Sequence, residues 1–156
     1  MRLTTMTDYA MRILMYLAEN PDRLCTIGEV AQAHGISQPH LMKVTHRLAR
    51  TGWVETIRGK NGGMRLAHAP RDIPLGAIVR DIENDMALVE CMGRKGSSCI
   101  LIGSCSLPRI LGEALALFMA HLDSHTLADL LPAPKGSAGP GRARISISPE
   151  SGDCAR

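Results

Sequence analysis

Two short amphipathic segments joined at a glycine constrain the fold of this chain more than any other feature. In the first, TIGEVAQAHG, Thr26 and Glu29 have the spacing of a capping box, and Gly35 suits a left-handed helix stop. The second, SQPHLMKVTHRLARTG, opens on Ser37 as a helix cap with a proline in its first turn. Two helices joined by so tight a turn are typical of a helix-turn-helix, which we place at about 28–51.

A β-hairpin is predicted directly after these helices. The segments WVETI and MRLAH have the composition of short strands, and RGKNGG between them forms a flexible tip. A helix-turn-helix followed by such a hairpin is a winged helix-turn-helix, with the wing at about 53–68. We therefore predict a mainly α fold in which residues 1–80 form this domain.

The charge distribution favours a polyanion as the partner of the first domain. Residues 1–80 carry a net charge of +5 and residues 81–131 a net charge of −4, within a chain of net charge +3. The second helix of the motif, which also carries His46, presents donor-rich side chains to base edges and phosphates, and the wing could enter the minor groove. The predicted contacts with double-stranded DNA are Gln38, His40, Lys43, Arg47 and Arg50 in the helix, and Arg58, Lys60, Asn61, Gly62 and Gly63 in the wing.

Three of the five cysteines lie in one Gly- and Ser-rich stretch, ECMGRKGSSCILIGSC. Seven residues separate Cys91 from Cys99 and five separate Cys99 from Cys105, without the short knuckles usual in structural zinc sites. An odd cysteine count without an export signal indicates a cytoplasmic location, where disulfides are rare. Three soft thiolates on a flexible loop favour an iron–sulfur cluster, [2Fe-2S] or [4Fe-4S], over zinc. Cys25 is expected in the core, and Cys154 is expected to take no part.

A long amphipathic helix is predicted to begin at Ser106, and it carries more apolar residues than one face can hold. The second stripe predicts packing against the same helix of another subunit, and so a homodimer. The apolar set is Leu107, Ile110, Leu111, Ala114, Leu115, Phe118 and Leu122. Residues 81–131 would then form the cluster loop and dimerisation helix. Residues 132–156 are rich in Pro, Gly and Ser and are predicted to be disordered.

Two classes of protein are disfavoured by what the sequence lacks. No apolar run reaches the length of a membrane span, so no membrane partner is expected. The cysteine stretch contains no histidine that could activate a thiol, so no catalytic site and no enzyme are predicted.

Four stretches together resemble a known family: the helix-turn-helix, RGKNGGMRL in the wing, ALVEC before the first cysteine and HTLADLL after the long helix. The chain is similar over about residues 1–131 to the Rrf-type family of small bacterial iron–sulfur winged-helix regulators, and especially to its nitric-oxide-sensitive repressors. The resemblance implies a homodimer that binds a palindromic operator while its cluster is intact. Carried over by position, Cys91, Cys99 and Cys105 would be the cluster thiolates.

This chain departs from the family pattern at two points. A related iron–sulfur-assembly regulator has a histidine shortly after its third cysteine, whereas Ser106, Leu107 and Pro108 follow here. The seven residues between the first two cysteines are also more than this group usually has.

Three thiolates leave an iron site that needs another donor, an oxygen, a nitrogen or a small molecule. Asp8, at the start of the predicted first helix, is the candidate, donated by the partner subunit. The same carboxylate could instead favour the positive end of that helix, and both roles stay open. Two alternative functions also stay open: an iron–sulfur or redox regulator not specific for nitric oxide, and a zinc-stabilised DNA-binding protein.

Overall fold

The computed structural model describes residues 2–93 and 98–132. The disorder predicted for 132–156 and the role of Cys154 thus lie, apart from Pro132, outside the described residues. The elements of the described part are the helices α1 (Thr5–Ala18), α2 (Ile27–His34), α3 (Gln38–Arg50), α4 (Leu75–Ile82) and α5 (Leu107–Asp123), and the strands β1 (Val54–Ile57) and β2 (Gly63–Leu66). Short 3-10 helices occupy Pro70–Asp72, Glu90–Met92 and Leu127–Leu130.

Local capping signals set the bounds of α2. The Thr26 hydroxyl accepts a hydrogen bond from Glu29 N at 3.2 Å, and the Glu29 carboxylate accepts one from Thr26 N at 2.6 Å. Gly35 ends the helix with φ +63°. The predicted capping box and left-handed stop are therefore confirmed, although the Ser37 side chain makes no capping hydrogen bond at the start of α3.

The core is aliphatic and is built mainly from one face each of α1, α3 and α4. The largest buried side chains include Ile13, Leu14, Leu17, Leu41, Leu48 and Ile78. Cys25 is fully buried, as predicted, and exchanges two backbone hydrogen bonds with Met64 of β2. Burial raises the pKa of the Cys25 thiol, which is thus kept neutral inside the core.

The two strands pair antiparallel, with Val54 opposite Leu66 and Ile57 opposite Gly63. Both strands are four residues long. β1 begins one residue after the start of the predicted segment WVETI, and β2 begins one residue before the predicted segment MRLAH and ends two residues before its end. Three helices packed under one small hairpin form the predicted winged helix-turn-helix, with the long helix α5 beyond it.

Helix α5 packs against α4, and Arg80 of α4 is paired with Asp123 of α5. Met119 is the buried residue of α5, so most of this helix is accessible in the single chain. In the described part of the chain, no helix combines the length and hydropathy needed to cross a bilayer.

Candidate functional site

One face of α3 is buried and the opposite face is open to solvent. Leu41, Val44, Thr45 and Leu48 are buried. With about 3.6 residues per turn, the face opposite them centres on Lys43, His46 and Arg50, all exposed. Gln38, also exposed, stands at the edge of this face near the N-terminus of the helix. These side chains can reach the edges of bases and the phosphates of DNA.

Two of the predicted DNA contacts have partners within the chain. The His40 ring stacks on Tyr9 of α1, with ring centroids 6.4 Å apart. Arg47 Nε donates to the main-chain oxygen of Asp81 at 2.7 Å, and its Nη1 donates to Asn84 Oδ1 at 2.9 Å. The Arg47 guanidinium therefore points toward the end of α4, and its contact with DNA stays a prediction.

Met42 is a residue of the exposed face that the sequence reasoning missed. Its side chain is 58% exposed and lies between the positions of Gln38 and His46 around the helix. An exposed methionine at this place can contact the methyl group of a thymine. The sequence signal that could have revealed Met42 is an apolar residue that lies outside the buried stripe of α3.

The wing presents its polar tip to solvent. Arg58, Lys60 and Asn61 are exposed, and Gly59 between them has φ +116°, a backbone conformation that favours glycine. A Cβ atom at Gly62 would collide with the main-chain oxygen of Ile57.

Glycine is required at position 63 for a different structural reason. A Cβ atom there would lie 2.9 Å from both the oxygen of Cys25 and the Cβ of Leu24. The glycines predicted to admit phosphates are thus also required by the turn and by the packing of the strand.

Cys91, Cys99 and Cys105 line one cavity of about 370 Å³. Cys91 is half-buried, and the other two are exposed. Leu107 N, in the first turn of α5, donates to Cys105 Sγ at 3.4 Å. Within residues 2–93 and 98–132, no three His, Cys, Asp or Glu side chains are placed to hold one metal ion. The cavity nevertheless unites three soft donors, the donor set that an iron–sulfur cluster requires.

Glu90 also lines this cavity and was not singled out from the sequence. Its Oε1 accepts hydrogen bonds from the N and Oγ of Ser98, both at 3.3 Å. This carboxylate therefore links the part of the cysteine segment before residue 94 to the part after residue 97. Residues 94–97 lie outside the described residues.

Asp8 lies away from the thiols of its own chain and is not among the residues that line their cavity. Its side chain is 53% exposed and accepts a hydrogen bond from Arg12 Nε at 3.0 Å. It stands in the first turn of α1, where a carboxylate complements the positive helix end. Exposure also leaves it accessible to a second subunit, so both predicted roles stay open.

An exposed apolar stripe runs along α5. Leu107, Ile110 and Leu117 are 47%, 52% and 73% exposed, and Ala114 lies exposed between them. Their spacing of three, four and three residues is that of a helix–helix seam. Leu117 was not in the predicted apolar set, whereas Leu115, which was, is half-buried against the segment after α4.

A comparison of sequences places this chain in a family of transcriptional regulators. The profile of the Rrf2 family, described as iron-dependent transcriptional regulator, matches residues 3–133. The HTH-type transcriptional regulator NsrR of Bacillus subtilis (strain 168) is 46% identical over 132 residues, which cover 84% of this chain and 90% of the relative. Protein aau3 of Rhizobium meliloti (strain 1021) is 42% identical over 133 residues, covering 85% and 86%.

Solved structures give the same picture of the fold. CymR, the global cysteine regulator of B. subtilis, superposes with a TM-score of 0.68 at 27% identity, covering 83% of this chain and 95% of that one. IscR of T. potens superposes with a TM-score of 0.66 at 25% identity, covering 83% and 85%. The predicted mainly α fold with a small hairpin wing is confirmed by this agreement.

Proposed function

Because this chain belongs to the Rrf2 family of transcriptional regulators, we propose that it is a repressor whose operator binding depends on an iron–sulfur cluster that reacts with nitric oxide. The observation that carries the proposal is the single cavity lined by Cys91, Cys99 and Cys105, directly before α5. A basic recognition helix and a thiol-lined cavity in one small chain are what a sensor of this kind requires.

The DNA-binding part of the proposal rests on the exposed face of α3. Lys43, His46 and Arg50 at its centre would enter the major groove. Arg58, Lys60 and Asn61 at the exposed wing tip would contact the adjacent groove and backbone. Gln38 and Met42, at the side of this face, would read base edges.

The cluster would be held by the three cysteine thiolates, with Asp8 of the partner subunit as the further donor. When bound, it would supply iron that reacts with nitric oxide. Two contacts of the chain itself would hold the segment in place: the amide of Leu107 donates to the sulfur of Cys105, and Glu90 accepts from Ser98. Loss of the thiolate bonds would free this segment from the start of α5.

A homodimer is the third part of the proposal. The exposed stripe of Leu107, Ile110, Ala114 and Leu117 would pack on its copy about a two-fold axis. Such a dimer presents two recognition helices, which fit half-sites about 34 Å apart in a palindromic operator. Release of the cysteine segment at the base of α5 would then change this spacing.

One experiment separates the proposal from its alternatives. We would purify the full chain without oxygen and measure its visible spectrum, iron, sulfide and zinc, and its operator binding before and after adding nitric oxide. We expect a brown protein that contains iron and sulfide and releases the operator on nitric oxide. A colourless protein that contains zinc would instead establish the zinc-stabilised alternative. A brown protein that keeps the operator would point to a cluster or redox sensor with another signal.

A cytoplasmic location belongs to the same proposal, because such a cluster requires reduced thiols.

A further inference from the structure

The C-terminal end of α4 is bonded to both DNA-binding elements. The main-chain oxygen of Asp81 accepts from Arg47 Nε of α3 at 2.7 Å. The carboxylate of the same residue accepts from Trp53 Nε1, just before β1, at 2.7 Å. One residue of α4 therefore contacts the recognition helix through its backbone and the wing through its side chain.

The residues just after α4 make further contacts, with α3 through Asn84 and with the start of α1 through Glu83. Asn84 Oδ1 accepts from Arg47 Nη1 at 2.9 Å. The Glu83 carboxylate accepts from Thr4 N at 2.7 Å and from the hydroxyls of Thr4 and Thr7. Partial burial would raise the pKa of Glu83, but the hydrogen bonds from Thr7 and Thr4 and the charge of Arg47 together lower it. This carboxylate is therefore ionised at neutral pH, and the α1 contact is intact.

Arg47 fits the end of α4 for an electrostatic reason. The last carbonyl groups of a helix lack partners within the helix and carry a partial negative charge. The Arg47 guanidinium satisfies one of them, that of Asp81, with a charged donor that is itself half-buried. Two nitrogens of Arg47 are thus held by two acceptors, one in the last turn of α4 and one just after it.

The residues that follow α4 face α5 across a cavity. A cavity of about 680 Å³ lies between the residues just after α4, among them Glu83, Met86 and Leu88, and the half-buried side chains of Leu115 and Phe118. The chain then runs directly into the first cysteine, Cys91. Residues 81–84 thus lie between the DNA-binding elements and the cysteine segment along the chain, and they bond to the recognition helix and to Trp53 before the wing.

We propose that Arg47 and Trp53 are positioning residues, which hold the recognition helix and the wing against residues 81–84 and thereby make operator binding depend on the state of the cysteine segment. This inference rests on the function proposed above. It assigns Arg47 a role inside the protein, in place of the DNA contact that its position on the helix predicts.

The test leaves both positioning residues in place and removes their partners. Asn84→Ala deletes the acceptor of Arg47 Nη1, and Asp81→Ala deletes the acceptor of Trp53 while keeping its own main-chain oxygen for Arg47. Asp85→Ala is the matched control: it removes the next carboxylate along the chain, whose Oδ1 accepts from Ala87 N at 2.8 Å. Operator affinity is measured for each variant with its cluster and after its removal, along with iron content and thermal stability.

In the wild type we expect the two affinities to differ by a factor within the range of about 5 to 150 typical of coupled sites. In Asn84→Ala and Asp81→Ala this ratio should fall severalfold at unchanged iron content, while Asp85→Ala keeps the wild-type ratio. The chain has one tryptophan, so its emission maximum reports on Trp53 alone. That maximum should shift on cluster removal in the wild type and much less in Asp81→Ala.

Two results would overturn the inference. If both variants keep the wild-type ratio, the contacts at residues 81–84 do not couple the sites. If Asn84→Ala tightens operator binding equally in both states, the released Arg47 is a DNA contact after all. A wild-type ratio of one would instead refute the proposed function, and with it this inference, so the two failures are distinguishable.

Discussion

The carboxylate of Asp123 at the end of α5 accepts hydrogen bonds from both terminal guanidinium nitrogens of Arg80 in α4. Gly76 of α4 leaves room for the Asp123 side chain, because a Cβ atom at position 76 would collide with its carboxylate. The bond from Arg80 lowers the pKa of Asp123. Since most of α5 is exposed in the single chain, this contact is a main attachment of the helix to the DNA-binding domain.

Gly76→Ala should therefore destabilise the protein. The added Cβ would collide with the Asp123 carboxylate, and overpacking of this kind costs about 1–3 kcal/mol. Gly112→Ala in α5 is the matched control, because nothing lies within 4 Å of its Cβ position. That change should stabilise by roughly 0.5–1 kcal/mol through helix propensity. Urea unfolding of the two variants would measure both values, and equal midpoints would contradict the prediction.

The attachment of α5 should weaken in acid. Asp123 has a folded-state pKa below its ordinary value of 3.8, so its pair with Arg80 stabilises fully above that value and is lost as the pH falls through the folded-state pKa. We expect Asp123→Asn and Arg80→Gln to melt below the wild type at pH 7, and this difference to narrow as the pH falls below 3.8. Melting temperatures across this range provide the check. A gap that persists in acid would show that the ion pair is not its cause.

Removal of any one thiol of the cavity should remove the cluster. Cys91→Ala, Cys99→Ala and Cys105→Ala are each expected to bind almost no iron, whereas Cys154→Ala keeps it. Cys25→Ala should also keep its iron but lose roughly 1 kcal/mol of stability, since this thiol is fully buried. Iron and sulfide analysis of the five variants measures this. Full iron content in Cys99→Ala would refute the assignment.

Neutralising the exposed face of α3 should weaken operator binding without altering the cluster. Arg50→Ala should cost about 1–3 kcal/mol if Arg50 contacts a base. Loss of a phosphate contact by Lys43→Ala should instead reduce the slope of log affinity against log salt by about 1. Arg71→Ala is the control, because this arginine is 83% exposed and lies outside α3 and the wing. Binding measured at several salt concentrations tests both claims, and equal effects of all three changes would contradict them.

A charge at position 117 should separate the subunits. Leu117 is 73% exposed in the single chain, so its replacement by glutamate spares the fold but places a charge in the proposed seam. Ala116→Glu puts the same charge on the neighbouring exposed position, which points away from the seam. Sedimentation at micromolar concentration should find Leu117→Glu monomeric and Ala116→Glu dimeric. A monomeric wild type would refute both the proposed dimer and the proposed change in spacing between the two recognition helices.

Features that depend on residues a few positions apart could be predicted from the sequence. The capping box of Thr26 and Glu29, the left-handed turn at Gly35 and the buried stripe of α3 all follow from such local spacing, since a helix forms its hydrogen bonds within one turn. The grouping of three cysteines within one cavity could likewise be anticipated, because the segment that joins them is short.

The direction of Arg47 and the exposure of Leu117 could only be decided by the tertiary structure. Arg47 lies at the edge of the exposed face of α3, where the helical period alone does not tell whether solvent or another helix stands beside it. The end of α4 comes there from more than thirty residues away and supplies an acceptor for a guanidinium. Leu117 and Leu115 are equally apolar, but Leu115 lies half-buried at the cavity beside the segment after α4, whereas Leu117 is exposed. Burial of such residues is a property of what lies opposite them, and that is set by long-range contacts.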